Sequence, residues 1–192
     1  LMNQPILQVP HDALRQVADK ITDFHSEETQ SQINSLTDTI KSAKEPEGVG
    51  LAFPQIGINL RGFVTYLPAK PGLPAKTKLY LNPQIIDQDD KTTLGGRTPD
   101  RPTLEGCLSI PWLYGPVYRS KKIKISAHDE HGVEFQKTLS SFRARLFLHE
   151  LDHLEGVLFT DYTTRDSLPL FMFHPDTQEF TPIEDPSAVI KW

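Results

Sequence analysis

The stretch Leu148-His149-Glu150-Leu151-Asp152-His153-Leu154-Glu155-Gly156 is the part of the sequence that best predicts the fold. His149 and His153 are four residues apart, so on a helix both imidazoles project from the same face. This spacing lets two ring nitrogens bind one divalent metal, with Glu150 placed to accept a proton from water without being a ligand. Two incidental histidines on a helix are the plainer alternative. The intervening Glu150 and the apolar flanking residues favour a metal site.

The composition is that of an ordinary globular protein. The chain has 192 residues, 38% of them hydrophobic and 23% charged, which predicts one domain with a sizeable core. A net charge of −5 argues against a dedicated nucleic-acid-binding protein. No run of about 18 apolar residues is present to span a membrane. The N-terminal residues lack a basic and a long apolar region, so we expect no signal peptide.

The predicted elements surround the two-histidine helix. Residues 12–21 form a short predicted helix, and a longer one begins after the N-cap residue Ser26. β-Branched and aromatic residues predict strands over 62–67, 78–86, 122–128, 133–139 and 171–173, and a short strand at 189–190.

The helix that carries the two histidines has predictable ends. Ser140 or Ser141 is expected to cap its N-terminus, and Gly156 is expected to end it. Phe142 and Leu146 fall on the same face as the histidines and Glu150. The chemical residues therefore continue a buried face and point into the protein.

The glycine-rich segment 48–57 allows close approach of a substrate or of another backbone segment. A dinucleotide-binding loop is rejected, because Phe53 replaces the third glycine and Pro54 follows it. Gln55 could direct an amide N–H at a developing negative charge, although a solvated loop amide is the alternative.

Cys107 is the only cysteine, so the chain has no intramolecular disulfide. Buried free thiols are common, and Cys107 can be core filler. It can also complete the metal site, because catalytic zinc-type sites use three protein ligands and keep one position open.

Together, the segments 48–55, 105–109 and 149–153 resemble, in order and approximate spacing, the three motifs of peptide deformylase. The resemblance extends from about residue 6 to about Tyr162. It implies an α+β fold in which antiparallel β-sheets pack around the central HExxH helix. It also implies removal of the formyl group from N-terminal formylmethionine of newly made proteins, with release of formate.

The resemblance implies a role for each matching residue. Cys107, His149 and His153 would bind one divalent metal ion, Fe²⁺ in cells, with Zn²⁺, Ni²⁺ or Co²⁺ as replacements. Glu150 would transfer the proton from the attacking water to the leaving amine. Gln55 and the backbone N–H of Leu108 would stabilise the oxyanion. The expected substrate-binding residues are Gly48, Val49, Gly50, Glu105, Gly106 and Arg119, with Glu105 paired to Arg119.

The expected partners are formylmethionyl peptides and nascent chains, with the ribosome as a further candidate. Neither DNA nor a membrane is an expected partner. We expect a monomeric, cytoplasmic protein of bacterial type; an organellar protein that has lost a transit peptide is the alternative. A single catalytic domain over 1–192 is expected, with a core of about 5–163 and a C-terminal extension over 164–192.

Two residues depart from the family pattern. Phe53 stands where the first motif normally has alanine, so either a neighbouring side chain is smaller or Phe53 points away from the site. Tyr114 stands where well-known bacterial members have an arginine near the substrate, which predicts a different preference on the peptide side.

Two alternative functions share part of this pattern. A zincin-like metallopeptidase also uses His-Glu-x-x-His but needs a downstream third ligand, for which Glu155 lies on the wrong face and His174 is the one distant candidate. A structural metal site in a binding protein would need four protein ligands.

Overall fold

A computed structural model describes residues 3–96, 98 and 101–190 of the chain. Its fold is α+β, as expected. The helices are α1 (Glu27–Ser42), α2 (Phe142–Leu154), α3 (Phe159–Arg165) and α4 (Pro186–Val189), with 3₁₀ helices at Asp12–Arg15 and Phe53–Ile56. The strands are β1 (Gly50–Ala52), β2 (Gly62–Leu67), β3 (Lys76–Gln88), β4 (Thr92–Thr93), β5 (Leu104–Cys107), β6 (Ile110–Pro116), β7 (Arg119–Ser120), β8 (Lys122–His128), β9 (Glu134–Ser140), β10 (Phe171–His174) and β11 (Glu179–Pro182).

These strands pair in antiparallel fashion. The larger sheet has the order β1-β2-β3-β8-β9, and a second sheet has the order β11-β10-β6-β5. Strands β4 and β7 form a separate pair. Strand β2 pairs in register with β3, Gly62 opposite Leu81 and Leu67 opposite Lys76.

Helix α2 packs against the larger sheet through aromatic side chains. Phe147 of α2 makes edge contacts with Phe63 and Tyr80, at ring-centroid distances of 5.1 and 5.2 Å. Such edge-to-face contacts add to the free energy gained by removing the rings from water. They fix the depth at which α2 sits and therefore the position of its histidines.

Helix α1 covers another part of the core. The Ser26 side chain accepts a hydrogen bond from the Thr29 N–H, which confirms the predicted N-cap. Ile33, Leu36 and Ile40 pack with Leu51 of β1 and neighbouring residues. This helix positions β1 and the glycine-rich segment beside α2.

Two local predictions were wrong. The helix predicted over 12–21 ends at Arg15, because the Ala18 N–H donates to the carbonyl of Leu154 instead of continuing the helix. The strand predicted at 189–190 is not formed: Val189 ends helix α4, Ile190 is its C-cap, and the Asp185 side chain caps the N-terminus of this helix.

The prediction for the N-terminus of α2 was correct in position only. Ser140 belongs to β9, whereas Ser141 is the N-cap residue of α2, with φ of 53° and no capping side-chain hydrogen bond. Gly156 ends this helix as predicted, with φ of 68°. None of the helices in the described part of the chain is both long and apolar enough to cross a membrane.

Candidate functional site

Helix α2 carries two candidate metal ligands, His149 and His153, and the candidate base Glu150. His149, Glu150 and His153 are all at least nine-tenths buried, with 8%, 3% and 2% of their surfaces exposed. The imidazoles of His149 and His153 are 5.2 Å apart between centroids. The helix therefore presents both histidines to one region, as the four-residue spacing predicts.

Cys107 approaches these histidines from the end of β5. Its Sγ lies 3.2 Å from Nε2 of His153. One candidate ligand atom from each of Cys107, His149 and His153 lies within 4.8 Å of the others. A thiolate and two imidazoles in this arrangement suit a transition-metal dication.

Glu105 fixes the orientation of His149. Its Oε2 lies 2.9 Å from His149 Nδ1, and because a carboxylate accepts, Nδ1 is the donor. This leaves Nε2 of His149 free to act as a ligand. A carboxylate behind a metal-binding histidine commonly holds the ring in one tautomer.

Two arginines neutralise the Glu105 carboxylate. Arg119 donates from Nε and Nη2 at 3.0 and 2.9 Å, and Arg145 donates from Nη1 at 2.8 Å. Burial alone would raise the pKa of Glu105, but the charge of Arg119 and the hydrogen bonds from His149 and Arg119 hold this pKa well below its usual range. Glu105 therefore stays ionised behind His149.

The charges of the candidate ligands suit a cation. Burial opposes ionisation of Cys107, yet His153 and His149 lower the pKa of its thiol to about 5. Burial also disfavours a charged His149, but its hydrogen bonds with Cys107 and Glu105 raise the pKa of this imidazole well above its ordinary value. The thiolate thus attracts positive charge, and a dication would take the place of the imidazole proton.

Glu150 lines the same cavity as Cys107 and His149, and one of its carboxylate oxygens makes no hydrogen bond to any residue that the structure describes. Among the described side chains, its Oε2 is one of the few buried polar atoms without a hydrogen-bond partner. Burial raises the pKa of Glu150 to about 7, although the neighbouring His149 and His153 act to lower it. A carboxyl group with a pKa near neutrality is suited to accept and return a proton.

The Gln55 amide is oriented by backbone contacts. Its Oε1 accepts a hydrogen bond from the Ala52 N–H at 2.7 Å, which identifies the other terminal atom as the NH₂ group. That Nε2 lies 3.5 Å from Cys107 Sγ and 3.1 Å from Ser109 Oγ. Gln55 is 1% exposed, so the alternative of a solvated loop amide is wrong.

A cavity of about 220 Å³ lies beside these groups. Most of the predicted site residues line it: Gly48, Val49, Gly50, Gln55, Glu105, Gly106, Cys107, Leu108, His149 and Glu150. His153 and Arg119 do not line this cavity. Arg119 is buried behind Glu105 and also contacts Asp152 at 2.6 Å, so the expectation of a direct substrate contact does not fit its position.

Sequence reasoning missed part of the charge network. Arg145 bridges Glu105 to the carbonyl oxygens of Val117 and Thr93, and Asp152 joins Arg119 to the Tyr162 hydroxyl. Arg145 and Asp152 both lie on α2, close to the histidines in sequence. A charged residue within an apolar helical face was the available signal for Arg145.

The alternative third ligands lie away from the site. His174 is exposed on β10, with Nε2 2.8 Å from Thr181 Oγ1. Glu155 is exposed and pairs with Arg61 at 2.7 Å. Among the residues that the structure describes, neither joins the metal-ligating cluster.

The two departures from the family pattern have different positions. Phe53 is fully buried among Leu51, Val64 and Leu81 and does not line the cavity, so it points away from the site. Tyr114 does line the cavity.

Comparison with known proteins relates this chain to one family. The sequence model described as polypeptide deformylase matches residues 3–168. The chain is 44% identical over 127 residues to peptide deformylase 1 of Clostridium perfringens, covering 66% of this chain and 78% of that protein. It is 36% identical over 159 residues to peptide deformylase 1B, chloroplastic/mitochondrial, of Arabidopsis thaliana, covering 83% of this chain but only 54% of that protein.

Solved structures agree with this relation. A peptide deformylase from Legionella pneumophila matches with a TM-score of 0.70 at 34% identity, over 84% of this chain and 86% of that chain. The enzyme from Thermotoga maritima matches with a TM-score of 0.69 at 32% identity, over 84% of this chain and 98% of that chain. The chain therefore belongs to the polypeptide deformylase family.

Proposed function

We propose that this chain is a metallohydrolase that cleaves the formyl amide of N-terminal formylmethionine and releases formate. One observation supports this most strongly. The candidate ligand atoms of Cys107, His149 and His153 converge within 4.8 Å, beside the unpartnered Oε2 of Glu150. Three ligands and a nearby carboxylate are what metal-assisted hydrolysis requires.

Cys107, His149 and His153 would hold one divalent ion, with Fe²⁺ as the proposed native ion and Zn²⁺, Ni²⁺ or Co²⁺ as replacements. When bound, the ion supplies Lewis-acid activation of water and of the formyl carbonyl. Glu105 accepts a hydrogen bond from Nδ1 of His149 and would thereby leave Nε2 available to hold the ion. Arg119 and Arg145 hold Glu105 in turn, so Arg119 acts as a positioning residue.

Glu150 would move the proton in this reaction. Its carboxylate accepts a proton from the attacking water and returns it to the nitrogen of the departing methionine. The pKa of about 7 supports both steps at neutral pH. The lack of any hydrogen-bond partner on Oε2 leaves that oxygen free to receive the proton.

Gln55 and the backbone N–H of Leu108 would stabilise the negative charge that develops on the formyl oxygen. The NH₂ group of Gln55 is held 3.5 Å from Cys107 Sγ by the contact of Oε1 with Ala52. A donor fixed in advance costs no reorganisation during reaction, and losing one such donor typically costs about 2.7–4 kcal/mol.

The substrate backbone would lie between the segment Gly48–Val49–Gly50 and the β5 residues Glu105 and Gly106. Both segments line the cavity. A Cβ built at Gly50 would lie 2.1 Å from Glu150 Oε1, so only glycine leaves room for this carboxylate. Glu105 would act chiefly through His149.

The proposed substrates are formylmethionyl peptides and nascent chains, encountered at the ribosome. We propose that the chain acts as a monomer with one catalytic domain. A bacterial-type cytoplasmic location is proposed, with an organellar location as the alternative that the Arabidopsis relative's name suggests.

Formate release from formyl-Met-Ala, by anaerobically prepared, iron-loaded protein, tests the proposal. The matched variant is Glu150→Gln, which keeps the shape of the side chain and removes the base. We expect kcat to fall by about 10²- to 10⁴-fold while the bound metal stays at one ion per chain. Hydrolysis that is unchanged in the variant would refute the role of Glu150.

Metal analysis separates this proposal from a zincin-like peptidase. Cys107→Ala should lose the metal, whereas His174→Ala should keep it, because His174 contacts Thr181 on the neighbouring strand. The opposite pattern would favour the peptidase. A fourth protein ligand, detected by X-ray absorption of the loaded protein, would instead favour a structural metal site.

A further inference from the structure

Four aromatic residues form a cluster on one face of the β11-β10-β6-β5 sheet. We call Trp112, Tyr114, Phe173 and Phe180 the aromatic cluster. Tyr114 makes edge contacts with Phe180 at 5.3 Å and with Phe173 at 6.1 Å between ring centroids. Trp112 stacks on Phe173 at 6.0 Å, and Phe173 lies 4.9 Å from Phe180.

Two members of the aromatic cluster line the cavity. Trp112 and Tyr114 both belong to β6, and although the backbone of Trp112 is left-handed, with φ of 67°, both side chains contact Phe173. Tyr114 lies directly opposite Gly106 of β5, and a Cβ built at Gly106 would lie 2.4 Å from the Tyr114 ring. The absence of a side chain at Gly106 therefore lets the Tyr114 ring lie over the strand that borders the cavity.

The other two members come from a segment beyond the family match, which ends at residue 168. Strand β10 pairs with β6, with Phe171 opposite Tyr114, and β11 pairs with β10, with Phe173 opposite Phe180. This hairpin extends the sheet that borders the cavity. Phe180 is 47% exposed and buries its other face against Tyr114 and Phe173.

We propose that Tyr114 and Trp112 bind an aromatic side chain at the second or third residue of the substrate, and that the β10–β11 hairpin sets this preference by fixing the Tyr114 ring. The inference rests on the proposed function and adds a specificity to it. Phe173 and Phe180 are positioning residues in this account, since they do not line the cavity.

The chemistry of the cavity supports this assignment. With the formyl group beside Glu150 and Cys107, as the proposed function requires, the residues after methionine would extend along the rest of the lining, which includes Trp112 and Tyr114. Trp112 and Tyr114 offer ring faces and edges there, and aromatic pairs gain free energy beyond the area that they bury. The hairpin restricts the Tyr114 ring before substrate arrives, which lowers the entropy lost on binding.

The test compares formyl-Met-Ala, formyl-Met-Ala-Ala, formyl-Met-Phe-Ala and formyl-Met-Ala-Phe with the iron-loaded full chain. We expect one of the two phenylalanine peptides to have a KM about two- to tenfold below that of formyl-Met-Ala-Ala, with similar kcat. Phe180→Ala should remove this advantage by raising KM for that peptide. Kinetics with formyl-Met-Ala should stay within about twofold of the wild type.

The matched variant Phe180→Tyr keeps the ring and should restore the preference. Truncating the exposed Val133, in the distant β8–β9 turn, to alanine should change nothing. If Phe180→Ala folds poorly, Phe180→Leu removes the ring with less loss of volume. Equal KM values for all three tripeptides, or a Phe180→Ala effect of equal size on every peptide, would overturn the inference.

If the proposed deformylase function is wrong, none of the formyl peptides is hydrolysed, which differs from the result expected when only the specificity is wrong. The inference is then decided by equilibrium binding of the same peptides, followed by tryptophan fluorescence. Tighter binding of a phenylalanine peptide, lost in Phe180→Ala, supports it, and equal affinities overturn it.

Discussion

Phe53 and Gly62 fit together across the core. A Cβ built at Gly62 would lie 3.0 Å from Cε2 of Phe53 and 2.8 Å from Leu81 Cδ2. Phe53 is fully buried and lies outside the cavity lining. The bulk that Phe53 brings to the first motif is therefore accommodated by a small residue at the start of β2, away from the chemistry.

This pairing predicts coupling between the two positions. Gly62→Ala should destabilise the protein by about 1–3 kcal/mol, because overpacking forces the Phe53 ring to move. In a protein that already carries Phe53→Leu, Gly62→Ala should reduce the free energy of unfolding by less, because the ring edge that the new methyl group would meet is absent. Urea unfolding of the two single variants and the double variant measures the coupling. Strictly additive free energies would contradict the prediction.

Gly50→Ala should impair the reaction more than the fold. The added Cβ would lie 2.1 Å from Glu150 Oε1, so the carboxylate must turn away from its present position. We expect kcat for formyl-Met-Ala to fall by at least about tenfold, with metal content unchanged. Gly72→Asn, in a loop with open space around the glycine, is the control and should keep full activity.

Glu105→Gln should destabilise the protein strongly. It would leave Arg119 and Arg145 buried without their shared carboxylate, a change that typically costs about 3–5 kcal/mol. Metal affinity should also fall by about 10- to 100-fold, because His149 loses its charged acceptor. The same chemical change at the exposed Glu155, which pairs with Arg61, should cost at most about 1 kcal/mol.

Chemical denaturation and metal titration of both variants measure these effects. Equal destabilisation by Glu105→Gln and Glu155→Gln would show that the buried network is not needed for stability. A normal metal affinity in Glu105→Gln would show that His149 is oriented by other contacts.

The metal-free protein should be stabilised by Glu150→Gln in a pH-dependent way. Burial raises the pKa of Glu150 to about 7, whereas an unfolded chain has a value near 4.5. The folded state therefore favours the protonated carboxyl group. The stabilising contribution of this group to the free energy of unfolding is complete below the pKa of the unfolded chain and is lost as the pH rises through 7. The stability of the variant relative to the wild type should rise by about 2 kcal/mol between pH 5 and pH 8.

Unfolding with a chelator present, at both pH values, gives this difference. Glu155→Gln is the matched control and should show no comparable change. A relative stability of Glu150→Gln that stays constant between pH 5 and pH 8 would mean that Glu150 is not titrating in this interval.

Local patterns predicted the main elements of the fold. The content of β-branched and aromatic residues identified β2 and β8 over their full observed ranges, and helical periodicity identified α1, with Ser26 as its cap. Isolated short segments were harder to predict, because tertiary contacts decide them. The Ala18 N–H bonds to Leu154 rather than within a helix, and that partner is distant in sequence.

For the site, the sequence alone predicted which chemical groups are available: two histidines and a glutamate on one helical face, with one thiol to complete a ligand set. Three relations are seen only in the folded chain: Cys107 Sγ lies 3.2 Å from His153, Phe53 faces the core, and the C-terminal hairpin contacts Tyr114. Periodicity fixes which residues share a face within one element. Contacts between elements depend on how sheets and helices pack, and the sequence of either element alone does not contain that information.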